Sequence, residues 1–141
     1  MKNFSFLRTG AIRPTFTYTT LTIAGFIVVY IGLEILFKPI AFYAAYQIEL
    51  PESISLMNEL RANGSYLIAS GVIILAGVIM PSMLFTSVLI GAVLFSCFAL
   101  TRMTSMAFDG IPSVNLIYAM GLEFIFAALL LSALIFQKKR P

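Results

Sequence analysis

The sequence predicts an all-α integral membrane protein, a four-helix antiparallel bundle with an extended connection between its first and second helices. Apolar residues make up 60% of the chain and charged residues 11%, whereas roughly a quarter of a soluble domain is charged. Four apolar segments approach or reach the roughly 17–25 residues that a helix needs to cross the hydrocarbon core. Beside them, Arg61, Arg102, Asp109 and Glu123, with Glu34, map to one half of the same bilayer. Ionisable groups in hydrocarbon are costly and normally face other helices or water, so these side chains are expected to meet.

The chain has 141 residues, which makes one transmembrane domain, residues 1–141, with spans at about 18–37, 60–80, 84–105 and 114–136. The first span runs from Tyr18 to Phe37. Lys2, Arg8 and Arg13 precede it as in a signal peptide, but the apolar run is too long, and Glu34 and Lys38 close it where a cleavage region belongs. It is therefore expected to be an uncleaved helix. The second span, from Ser65 to Met80, is short unless the helix begins earlier and draws Arg61 towards the membrane. Met57, Leu60, Gly64, Leu67 and Gly71 form a helical stripe that supports the longer helix, with Pro51 suited to its first turn. Met80-Pro81-Ser82-Met83 is a tight turn that forces the third span, from Leu84, to run antiparallel. Asp109-Gly110-Ile111-Pro112 reads as a helix stop and restart before the fourth span at Leu116 to Phe136.

Lysines and arginines set the orientation. Four spans put both termini on one side, with Lys2, Arg8, Arg13, Lys138, Lys139 and Arg140; Lys38, Arg61 and Arg102 belong to the other. The excess predicts cytoplasmic termini in a multi-pass protein. Tyr30, Tyr43, Tyr46, Tyr66 and Tyr118 fall towards the outer side, as amphipathic rings do at an interface. The polar cluster then opens outward.

Helical spacing sorts the charges. Asn58, Arg61 and Ser65 share a face, whereas Glu59 points elsewhere. Arg102, Ser105 and Asp109 align if the third helix continues to Gly110. Asn115, Ala119, Glu123 and Ala127 make one stripe on the fourth, its small residues admitting a close neighbour. At about 1.5 Å per residue, Glu123 lies about 10 Å below Leu116, deepest of the charges. Glu34, Glu59, Asp109 and Glu123 against Lys38, Arg61 and Arg102 sum to −1, a near balance that suits internal pairing better than a trap for a highly charged ligand. The structural reading has Arg61 and Arg102 neutralising Glu123 and Asp109 and so fixing helix register. The functional reading has Glu123 exchanging a proton, or the arginines holding an anionic head group or carboxylate. Glu34 is expected to pair locally with Lys38, four residues on.

Much chemistry is excluded. There is no histidine and one cysteine, Cys97, which argues against ordinary zinc, haem and iron–sulfur ligation and against a His-dependent triad. Cys97 is expected as a small core residue. No cofactor is expected, and no nucleic acid partner, since the basic residues sit mainly at the chain ends as topology signals. Gly64, Gly71, Gly77 and Gly91 read as close-packing positions, and Asn63-Gly64-Ser65 as a chance match to a glycosylation acceptor.

Arg61-Ala-Asn-Gly64, the stretch Arg102-Met-Thr-Ser105-Met-Ala-Phe-Asp109-Gly110-Ile-Pro112, and Glu123 together resemble the bacterial family called domain of unknown function 4345. The likeness covers most of the chain from Gly32 onward. It implies small four-helix inner-membrane proteins and brings no activity or catalytic residue with it. The functional expectation is a membrane protein whose outward site, built by Arg61, Arg102, Ser105, Asp109, Glu123 and Glu34, binds or transports a small molecule, lipid or proton. The alternative is a structural or accessory subunit, with the lipid bilayer, a second copy or other membrane subunits as its partners. An enzyme ranks third.

Overall fold

The computed structural model describes the backbone of residues 6–138 and the side chains of residues 15–135. The side chains of Lys2, Arg8, Arg13, Lys138, Lys139 and Arg140, on which the orientation count leans, lie outside the described residues. Among the described residues five α-helices form: α1 (Phe6–Phe37), the short α2 (Pro39–Ala44), α3 (Ile54–Ile79), α4 (Leu84–Asp109) and α5 (Val114–Lys138). Four of them are long and apolar enough to cross a membrane, over Thr15–Phe37, Ile54–Ile79, Pro81–Asp109 and Val114–Ile135. Among the described residues there is no strand.

The expected bundle is present, with shifted ends. α3 starts at Ile54, where the Ser53 side chain accepts from the Leu56 N–H and satisfies one of the free donors of the first turn. Pro51 therefore lies outside the helix rather than in its first turn. The connection expected to be extended contains α2, opened by Pro39 at a position where a missing N–H costs nothing. It ends in a turn in which the Ile48 N–H donates to Tyr43 O at 3.1 Å and the Gln47 N–H to Ala44 O at 2.9 Å. That paired closure needs a left-handed residue, and Gln47 supplies it at φ 62°.

α1 packs most extensively against α3, α4 against α5, and α3 against α4; α1 touches α5 and α4 more lightly, and α3 does not reach α5. Glycines set the α1–α3 contact. A Cβ on Gly32 would lie 2.7 Å from Gly64 O, and one on Gly64 would lie 2.8 Å from Gly32 O. One heptad along, Gly25 and Gly71 face each other in the same reciprocal way. Lipid offers no hydrophobic drive for helix association, so this close backbone approach supplies the packing. Gly64 and Gly71 were legible as packing positions; their partners on α1 were not.

Near the Met80–Met83 turn, Ser87 is fully buried and donates to Ile73 O at 2.6 Å, tying α4 to α3 beside Gly77. Within their own helices, Thr20, Thr22 and Ser70 return their hydroxyls to carbonyls one turn back. These bonds leave the hydroxyls satisfied where no water can serve them. Leu21, Ile74, Val88 and Leu130 fill the centre, with Phe95 stacked on Phe126 at 5.1 Å. Cys97, expected in the core, is exposed on α4 instead.

Candidate functional site

The ionisable residues gather at the end of the bundle opposite the Met80–Met83 turn. They form separate groups rather than one cluster. Because α4 and α5 are antiparallel neighbours, Arg102, seven residues before the end of α4, comes level with Glu123, nine residues into α5. The Arg102 Nε donates to both Glu123 carboxylate oxygens, at 2.9 and 2.8 Å. The Glu123 side chain is 12% exposed and that of Arg102 33%. Among the described residues the terminal Nη groups of Arg102 have no hydrogen-bond partner. The guanidinium is held by one edge and free at the other.

Towards the helix end, Ser105 donates to Asp109 Oδ2 at 2.8 Å, both exposed. Asp109 is thus engaged within its own helix, without an ion pair among the described residues. Gly110 follows at φ 99° and ψ −173°, a backbone region essentially restricted to glycine. It turns the chain so that Ser113 donates to Tyr46 O and Asn115 to Ala45 O, each at 2.8 Å. The loop between α4 and α5 is thereby fastened to the turn after α2. The Asn115 amide faces that turn, although its spacing had grouped it with Glu123.

This fastening leaves Tyr43 of α2 near enough to Arg102 to feel its charge. Burial pushes the Tyr43 phenol up from its ordinary pKa of 10.0, and the nearby Arg102 charge partly counters that rise. Phe42 stacks against Tyr43 edge-on at 5.4 Å and against Tyr46 at 5.2 Å. Neither the Tyr43 approach nor the Ser113 and Asn115 bonds left a sequence signal, since each joins positions about 60–70 residues apart without periodic spacing.

Glu34 pairs with Lys38 at 3.9 Å, as the four-residue spacing implies. Arg61 departs from expectation. Its side chain is exposed and forms no ion pair among the described residues. Glu123 faces α4 and is paired with Arg102, and the backbones of α3 and α5 do not approach each other, so Arg61 does not meet it.

Depth is common to both arginines. About 20 residues at about 1.5 Å each span the roughly 30 Å of hydrocarbon. Counted from Ile79 back along α3 the limit falls at Leu60, and from Leu84 forward along α4 at Met103. For a hydrocarbon core that begins at Ile79 and Leu84, Arg61 and Arg102 stand one residue inside its far boundary, level with each other.

A family model described as domain of unknown function (DUF4345) matches residues 16–134. The chain belongs to this family. The match begins on α1, before Gly32, and so takes in both glycine contacts between α1 and α3. No curated protein and no solved structure matches the chain. Within this member of the DUF4345 family, the stretch from Arg102 to Pro112 contains the ion-paired arginine, the Ser105–Asp109 bond and the glycine that turns the chain into α5.

Proposed function

We propose that this DUF4345 protein sits in a bacterial inner membrane with both termini in the cytoplasm, and that its outward end binds a small singly charged anion, a carboxylate or a head group, on Arg102. The observation that carries this reading is the half-used guanidinium. Glu123 occupies Nε and orients the group, while the Nη edge, at head-group depth, still offers donors in the planar geometry that carboxylates and phosphates accept. A carboxylate gripped through both oxygens is better suited to positioning Arg102 than to carrying protons. Asp109, two turns nearer the helix end on the same face, puts a negative charge beside the entrance and disfavours multivalent anions. Binding, rather than transport or catalysis, is the activity these groups support.

A second reading, an accessory subunit, draws on Gly121 of α5, whose Cβ position meets nothing within 4 Å and leaves room for another helix. Purification from native membranes without crosslinking, followed by native mass spectrometry, separates the two. A single chain or homo-oligomer carrying a small anion supports binding; a stable assembly with other chains supports the accessory role. For orientation, the excess of basic residues at the termini predicts that a periplasm-dependent reporter fused after Pro141 stays inactive. Activity of that fusion reverses the assignment.

A further inference from the structure

Beside α3, away from the Arg102–Glu123 pair, an open cavity of about 740 Å³ lies between α2, the connection and the first turns of α3. Its walls include Ile40, Leu50, Ile54 and Met57, and its polar groups include Glu52, Asn58 and Arg61. Asn58 and Arg61 are three residues apart on one helical face and project together. Their side chains have no partner among the described residues; Glu52 likewise forms no ion pair there. Ser53 also lines the cavity, but its hydroxyl caps α3.

We infer that this cavity is a site for a phospholipid with a zwitterionic phosphoethanolamine head group. The order of the charges along this wall matches that lipid. Arg61 and Asn58 stand about 6–10 Å further into the membrane than the start of α3, at about 1.5 Å per residue, and Arg61 is at the hydrocarbon boundary. Glu52 precedes α3 and lies nearer the water. A phosphoethanolamine lipid has the same order: tails, then a phosphate at the boundary, then an ammonium towards water. The phosphate accepts from the Arg61 guanidinium and the Asn58 amide, the ammonium donates to Glu52, and the tails continue past Arg61 into the membrane. An anionic lipid without the amine satisfies Arg61 but leaves Glu52 facing like charge. A quaternary amine brings no N–H to donate.

The test is native mass spectrometry of the full chain, titrated with phosphatidylethanolamine, phosphatidylglycerol and phosphatidylcholine of identical tails. The wild type is expected to retain phosphatidylethanolamine best. Arg61→Gln should weaken that lipid roughly tenfold, the scale of one lost charge-assisted hydrogen bond. Glu52→Gln should abolish the preference over phosphatidylglycerol without lowering phosphatidylglycerol retention. Both residues are exposed, and unchanged melting in detergent will show that the variants are folded. Equal retention of the three lipids by the wild type, or a preference that survives both substitutions, overturns the inference. Neither result bears on anion binding at Arg102, which these variants leave intact.

Discussion

Arg102 and Glu123 should be energetically coupled, and the two single substitutions should differ in cost. Their contact of 2.8–2.9 Å joins a carboxylate that is 12% exposed to a guanidinium that is 33% exposed. With charge centres about 4 Å apart and an effective dielectric near 20, the Coulomb attraction is about 4 kcal/mol. Solvent at the one-third exposed guanidinium screens part of that, leaving an expected coupling of about 2 kcal/mol. Arg102→Ala strands a carboxylate well inside the bundle and should cost about 3–5 kcal/mol, the usual penalty for orphaning a buried charge. Glu123→Ala should cost less, because the long arginine stem lets its charged head swing to the interface. The double variant should lose clearly less than the sum. Reversible unfolding in mixed micelles of the wild type, both singles and the double gives all four values. Additive losses, or a larger cost for Glu123→Ala than for Arg102→Ala, would show that the two side chains are not coupled as a buried pair.

Gly32→Ala, which places a methyl 2.7 Å from Gly64 O, should cost about 1–3 kcal/mol by overpacking, while Gly121→Ala, with open space around its Cβ, should be near neutral; unfolding midpoints compare them. Gly110→Ala meets no neighbour, so any loss measures backbone strain alone, and φ 99° with ψ −173° predicts about 1–3 kcal/mol; a neutral result denies that conformation. Tyr43 has a folded pKa raised above 10.0 by burial, so the folded state holds the proton more tightly than the unfolded one. Its contribution to stability is full below pH 10.0 and fades as pH rises through the folded value. Tyr43→Phe should therefore flatten the stability loss above that pH relative to wild type in the same titration.

The four spans were legible because lipid imposes one long apolar run per crossing, and the turn at Met80–Met83 left a single pairing for α3 and α4. The Arg102–Glu123 pair was legible as well, since two charges at matching depth on adjacent antiparallel helices have few other partners. The pairing of Gly25 with Gly71 and of Gly32 with Gly64 was only half visible: a glycine announces a close approach but not which helix makes it. The same limit separated Arg61 from the pair. Depth alone placed it beside Glu123, but the arrangement of the helices, with the backbones of α3 and α5 apart, keeps it away. α2 and its fastening by Ser113 and Asn115 were hidden because single long-range hydrogen bonds carry no periodicity.

The most direct test of anion binding at Arg102 uses Arg102→Lys, which keeps a cation for Glu123 but removes the second donor edge of the guanidinium. Melting in detergent is followed as decanoate, then inorganic phosphate, is added to the wild type and the variant. The wild type should show saturable stabilisation by the singly charged carboxylate, about 2.7 kcal/mol at a hundredfold excess over the dissociation constant, and weaker stabilisation by phosphate, with none in the variant despite comparable stability without ligand. Equal stabilisation of both proteins, or of neither, would contradict anion binding at Arg102.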